Sequence, residues 1–272
     1  MPDACDPRLA PGEIRAHLEA AAAAAEAAGP IALRYFRTGV EVANKAGGAS
    51  FDPVTCADKE VEASIRSDLA RQFPDYGVLG EEAGVIESDS PLRWVIDPID
   101  GTRAFISGVP AWGILLGLTS AQECLAGVMH QPYLQETFLG TRDGAWLRRA
   151  GKEHALRTRS TTELSEAILY CTHPSMFGTD RDRLGFERVA AASQMMRYGG
   201  DCYSYALLAM GQIDLVIEGS LEPYDIIPLI PIVEGAGGIV TDGQGGSAFE
   251  GGLIVAAANP ELHARALETF NT

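Results

Sequence analysis

Residues 94–105 read WVIDPIDGTRAF. The apolar run that ends at Asp97 reads as a short buried strand, and Gly101-Thr102 as the opening of a helix. Between them Asp97 and Asp100 flank Pro98-Ile99, so two negative charges stand three residues apart at the end of an apolar strand. Like charges at such a place repel each other and lose hydration. Either a cation sits between them or the segment is an ordinary acidic turn. The proline stiffens the turn, so both carboxylates can point to one side, and a main-chain carbonyl between them can serve as a further ligand. The helix start behind them offers free N–H groups to a phosphate.

Working outward, acids recur at the ends of other apolar elements. Glu81 and Glu82 follow "VLG", and Asp225 follows "EPY". Side chains so placed can project into one cleft, and carboxylate oxygens are what hard divalent cations such as Mg2+ require. Each piece taken alone has a simpler reading. The Gly-Glu-Glu step suits a solvated turn, Asp225 a helix cap, and Asp58 a capping box with Thr55. The "DPIDGT" run behind a buried strand is more specific, and all four pieces in this order are more specific still.

Around these motifs, helical and strand patterns alternate. A helix is expected from about Pro11 to Thr38, Ala-rich and packed closely on a neighbour, with Gly29-Pro30 kinking or breaking it. Val61, Ile65 and Leu69 recur at helical spacing behind Thr55. "YGVLGEE", "WGILLGLT" and "ECLAGVMHQP" read as strands, and "ETFLGTRDGAWLRR" as a hairpin turning at Asp143-Gly144. In the second half, "AILYCT", "IDLVIEG", "GGIVTD" and "GLIVAAA" read as strands. Helices are expected over "RDRLGFERVAAASQMM", after Gly199-Gly200, and over "YDIIPLIPIVEGAGG", the last tolerating Pro228 and Pro231. Asn259-Pro260 opens the final helix. The alternation implies a layered α/β or α+β fold. A boundary near residue 150 divides the chain into 1–150, with the metal-binding loops, and 151–272, with the substrate side.

Composition narrows the function classes. The chain has 272 residues and a net charge of −16, which argues against sequence-independent nucleic-acid or anionic-membrane binding. It leaves small anions open, because a metal ion can supply positive charge locally. Cys5, Cys56, Cys124, Cys171 and Cys202 are scattered, with no C-x-x-C pair, so zinc and disulfide frameworks are not expected and a reducing cytoplasm fits. The start of the chain has no signal-peptide pattern, and no apolar run is long enough to span a membrane.

Together, "GEE", "WVIDPIDGT", "PYD" with "EGAGG", and the upstream "DPVTCAD" resemble the inositol monophosphatase superfamily of Mg2+-dependent, Li+-sensitive phosphatases, over roughly residues 40 to 245. The resemblance implies a five-layered αβαβα sandwich, a homodimer, and two to three Mg2+ per active site acting on a small phosphate monoester. It implies a first metal on Glu81, Asp97, Asp100 and the Ile99 carbonyl. A second would sit on Asp97, Asp100 and Asp225, and a weaker third on Glu81. Thr102 would position the attacking water, with Glu81 beside it and Asp52 accepting from the Thr102 hydroxyl. Gly101 and Thr102 would give N–H groups to the phosphate, and Lys45 and Thr55 would lie in a loop nearby.

A narrower resemblance, in "RYGGDCYSYALLAMGQIDLVIEG", "EPYDII", "GVMHQP" and "LYCTHPSMF", is to the histidinol-phosphate phosphatase branch. It implies that Asp201 and Glu218 meet the organic part of the substrate, with Arg103 where that branch commonly has lysine. Helix capping is the alternative for Asp201. Glu222, in place of a usual lysine, and His173, in place of a small hydroxyl residue, depart from the branch. An inositol, sugar or nucleotide phosphatase and a protein-binding regulatory homologue remain alternatives.

Overall fold

A computed structural model describes residues 9–39, 42–44, 53–121 and 123–272. The expected roles of Lys45 and Asp52 fall outside the described residues. The first half contains α1 (Pro11–Leu33), β1 (Val42–Asn44), β2 (Pro53–Thr55), α2 (Cys56–Gln72), β3 (Gly77–Gly80), β4 (Gly84–Ile86), β5 (Leu92–Asp100), α3 (Thr102–Ser107), β6 (Gly113–Ser120), β7 (Glu123–Gln131), β8 (Glu136–Thr141), β9 (Gly144–Arg149) and β10 (Lys152–Ala155). The second contains β11 (Ile168–Cys171), α4 (Asp180–Ala192), β12 (Met195–Tyr198), α5 (Tyr203–Ala209), β13 (Leu215–Leu221), α6 (Pro223–Ile226), α7 (Ile230–Gly235), β14 (Ile239–Asp242), β15 (Gly252–Ala257) and α8 (Pro260–Asn271).

Eight strands form one sheet in the order β10-β9-β8-β7-β6-β5-β3-β4, and five form another in the order β12-β11-β13-β15-β14. Strand alternation sends successive side chains to opposite faces, and the cores follow it. Ile114, Leu116 and Leu118 of β6 face α1 and α2, whereas Leu115 faces α5, α6 and α7. Val216, Ile254 and Ala256 of the second sheet meet the same middle helices, while Leu215, Ile217 and Val255 turn outward to α4 and α8. The result is the five-layered αβαβα sandwich.

Local signals account for much of this. Thr55 caps α2, its main-chain N–H donating to Asp58 at 2.8 Å and its hydroxyl accepting from the Ala57 N–H at 3.1 Å. Val61, Ile65 and Leu69 form the buried stripe. Asn259 caps α8, with Pro260 in the first turn.

Three expectations need correction. The first helix is not broken at Gly29-Pro30 but runs on to Leu33. Its buried face is largely alanine, so it lies close on the sheet, and a Cβ at Gly29 would stand 2.9 Å from His130 Nε2. That packing holds the helix past the one hydrogen bond that Pro30 cannot donate. The segment from Tyr224 to Gly238 is not one helix: α6 ends at Ile226 and α7 begins at Ile230. Residues 195–198, the first two of them expected as the end of a helix, form β12, the edge partner of β11, because Ser193 leaves the helical region and releases the chain into the sheet.

The break between α6 and α7 lets this turn press into the large sheet. A Cβ on Gly127 of β7 would overlap the Pro228 carbonyl oxygen, and one on Gly140 of β8 would overlap the main chain of Ile232. Both neighbours are backbone and cannot rotate away. Gly127→Ala and Gly140→Ala should each lower the free energy of unfolding by about 1–3 kcal/mol, the usual range for overpacking. Urea denaturation with unchanged slope is the measurement.

Candidate active site

β5 is buried on both faces and lies between β3, parallel to it, and β6, antiparallel. Because β3 and β5 run the same way, their ends deliver Glu81 and the pair Asp97 and Asp100 to one edge. The ladder with β6 shifts register between Asp97 and Asp100, so Pro98-Ile99 bulges. Asp97 Oδ1 accepts the Ile99 N–H at 3.0 Å, closing the bulge on itself. Gly101 then adopts a left-handed φ of 79°, and a Cβ there would stand 3.0 Å from that of Asp201. The chain enters α3 at Thr102, whose hydroxyl donates to the Ile99 carbonyl at 3.1 Å.

From the second half, β13 hands the chain to α6, and Asp225 sits in its first turn. Its Oδ2 accepts the Glu222 N–H at 2.8 Å, so the capping reading holds. The residue is nevertheless also part of the acidic cluster. One carboxylate oxygen from each of Asp97, Asp100 and Asp225 lies within 4.8 Å of the others. These three, with Glu81, Ile99, Gly101, Thr102 and Tyr224, line a cavity of about 360 Å³. The Asp97 carboxyl is 2% exposed. Burial, then the charges of Glu81, Asp100 and Asp225, holds it well above the usual carboxylate range. Burial and Asp225 do the same to Asp100, and burial pushes Asp225 up to about 7. Among the described residues lining this cavity there is no Lys, Arg or His. An all-oxygen donor set with nothing cationic in it fits a hard divalent cation.

A second cavity of about 550 Å³ shares Asp100, Gly101, Thr102, Ser220 and Asp225 with the first and extends past Arg103, Thr172, His173 and Asp201. Asp201 does not cap α5: Cys202 stands at the N-cap position, with no side-chain cap bond. Instead Asp201 adopts a left-handed φ of 44°, and burial raises its carboxyl to about 6 against the pull of Arg103. Glu218 is buried, accepting from the Thr172 N–H at 2.9 Å and the Tyr205 hydroxyl at 3.1 Å, and burial raises it to about 7.

Sequence reading overlooked Glu62. It is 1% exposed, and its two carboxylate oxygens accept the N–H groups of Glu82 at 2.7 Å and Ala83 at 3.1 Å. Arg66, one helical turn on, binds it at 2.6 Å and also donates to the Gly84 carbonyl. Glu62 thus ties α2 to the turn that carries Glu81. The i,i+4 spacing of Glu62 and Arg66 was visible, but it ordinarily marks a solvated helix face. Thr172 and Ser220 were overlooked as well, because loop contacts leave no periodic signal. Glu62→Ala would strand two main-chain donors and a guanidinium. Chemical denaturation should show a loss of about 3–5 kcal/mol, the cost of breaking a buried charged pair from one side.

Comparison with known proteins agrees with this geometry. The model of the inositol monophosphatase family matches residues 14–272. The chain is 37% identical over 259 residues to the bifunctional phosphatase IMPL2 of Arabidopsis thaliana, covering 91% of this chain and 73% of that one. It is 34% identical over 247 residues to the histidinol-phosphatase of Chlorobaculum parvum, covering 89% and 92%. A solved inositol monophosphatase from Zymomonas mobilis superposes with a TM-score of 0.83 at 34% identity, over 95% of this chain and 98% of that one. The chain belongs to the inositol monophosphatase family, whose members are phosphoric monoester hydrolases.

Proposed function

We propose that the protein is a Mg2+-dependent histidinol-phosphate phosphatase, releasing L-histidinol and inorganic phosphate in histidine biosynthesis. The observation that supports it most is the second acidic pair. Asp201 and Glu218 line a recess of about 50 Å³ with Asp100 and Asp225, beside the acidic cluster. Burial disfavours their ionised forms, so a ligand bearing an ammonium group relieves them where a neutral polyol does not. The 34% identical histidinol-phosphatase is consistent with this reading. The Zymomonas mobilis likeness favours a second one, an inositol phosphatase with the same chemistry.

Family members use divalent metal ions. In this reading Glu81, Asp97, Asp100, Asp225 and the Ile99 carbonyl hold two or three Mg2+, which would neutralise the phosphate and lower the pKa of water. The main-chain N–H groups of Gly101 and Thr102 meet phosphate oxygens. Thr102 and Glu81 orient a water for in-line attack on phosphorus. Asp52 would accept from the Thr102 hydroxyl, which donates to the Ile99 carbonyl in this structure. Water held near Asp225 protonates the departing alkoxide. Arg103 tempers the charge of Asp201. Catalysis is then mostly positioning and charge stabilisation. The 1–150 unit supplies Glu81, Asp97 and Asp100, and the 151–272 unit supplies Asp201, Glu218 and Asp225. A homodimer, Li+ sensitivity and a cytoplasmic location belong to the same proposal. Among the described residues no helix is long and apolar enough to cross a membrane.

Phosphate release from histidinol phosphate and from inositol phosphate, each with Mg2+ and with chelator, tests the reading. Turnover should require Mg2+ and favour histidinol phosphate. Asp97→Asn should lower kcat at least about 100-fold at saturating Mg2+; near-normal turnover would refute its role. Asp201→Ala should lower kcat/KM for histidinol phosphate by about 10- to 100-fold, as expected for a charged hydrogen bond. Equal losses with inositol phosphate would show that Asp201 does not read the amine.

A further inference from the structure

His173 lines the larger cavity together with Thr172, Ser175 and Asp201. Its ring is held by its own turn. Nδ1 accepts the Ser175 N–H at 3.1 Å, and the Ser175 hydroxyl lies 2.7 Å from the same nitrogen. A ring nitrogen that accepts a main-chain N–H carries no proton, so in the neutral imidazole the proton resides on Nε2. The side chain therefore presents a donor of fixed identity.

The turn that carries it is anchored to the acidic recess. Thr172, the preceding residue, donates its N–H to Glu218 and accepts the Asp201 N–H on its hydroxyl at 2.8 Å. On the other side the Ser220 hydroxyl donates to the Met176 carbonyl at 2.8 Å, and a Cβ on Gly219 would meet that carbonyl at 2.6 Å. Ser220 holds a left-handed φ of 59° in this contact. A non-glycine residue in that region is strained, and such strain persists where the surroundings enforce it. The turn that carries the imidazole, the Glu218 carboxylate and the main chain of Asp201 are thus parts of one hydrogen-bonded wall.

We infer that His173 is a specificity-determining residue: its Nε2–H donates to an acceptor nitrogen on the leaving group, so that the wall reads an amine and a heteroaromatic ring together. This rests on histidinol phosphate being the substrate. Its ammonium-bearing carbon and its imidazole are separated by a single methylene, and a neutral imidazole has one acceptor nitrogen. The amine falls to Asp201 and Glu218, and the ring to His173.

The test compares histidinol phosphate with O-phosphoethanolamine, which keeps the phosphate and the amine but has no ring. In His173→Ala the ratio of kcat/KM for the two substrates should fall about fivefold, within the range for one neutral hydrogen bond, and the change should lie in KM for histidinol phosphate. His173→Gln, which restores a donor of similar reach, should recover at least half of the ratio. An unchanged ratio, or a loss shared equally by both substrates, overturns the inference while leaving the substrate assignment standing. Failure of the wild-type protein to turn over histidinol phosphate overturns both, and is read from the wild type alone.

Discussion

Three carboxylates converge on a few ångströms of buried space, and their mutual repulsion is the constraint around which the rest of the structure is arranged. Acids brought together out of water tend to stay protonated or to splay apart. Here each is pinned by a main-chain donor: Ile99 N–H on Asp97, Cys202 N–H on Asp100, and Glu222 N–H on Asp225. Each bond uses one oxygen of its carboxylate, so the aspartates are fixed in place by the backbone while acceptor capacity remains in the cavity they line. A scaffold of this kind suits a cation that arrives from solution, since the ligands need not be ordered when it binds.

Those donors come from both halves of the chain, and this explains why the middle layer matters. The Cys202 N–H at the start of α5 reaches across to Asp100 of β5, and Asp225 of α6 reaches Asp97. That reach depends on the turn between α6 and α7 sinking onto the large sheet, which Gly127 and Gly140 permit by having no side chain. Packing density far from the carboxylates therefore sets their spacing. The same layer carries Tyr205, whose hydroxyl steadies Glu218. The carboxylate cluster and the Asp201–Glu218 recess are consequently built against one set of short helices.

Much of this could be read in advance where the signal is local. The capping box at Thr55, the stripe Val61-Ile65-Leu69, the Asn259-Pro260 start and the acids behind the apolar strands all depend on residues within a turn or two of one another. Where neighbours in space outweighed neighbours in sequence, local reading failed. Pro30 reads as a breaker, yet the close fit of α1 against β7 carries the helix through. Met195 and Met196 read as helical, yet the free edge of β11 draws them into a strand. Glu62 passes unremarked in the sequence, because its i,i+4 spacing to Arg66 is ordinary for a surface helix, yet it is buried beneath the turn that carries Glu81.

The amino-acid sequence by itself determined that the clustered acids sit at strand ends and at a helix start. Those positions are set by hydrophobic period, proline and glycine, which act over a few residues. Only the tertiary structure decided that Asp225, more than a hundred residues from Asp97 and Asp100 along the chain, lies against them, and that Thr172 joins His173 to Asp201 and Glu218. The physical reason is that these contacts arise from how two sheets pack across a shared helical layer. Their distances follow from side-chain volumes summed over the whole core, and no short stretch of chain encodes that sum.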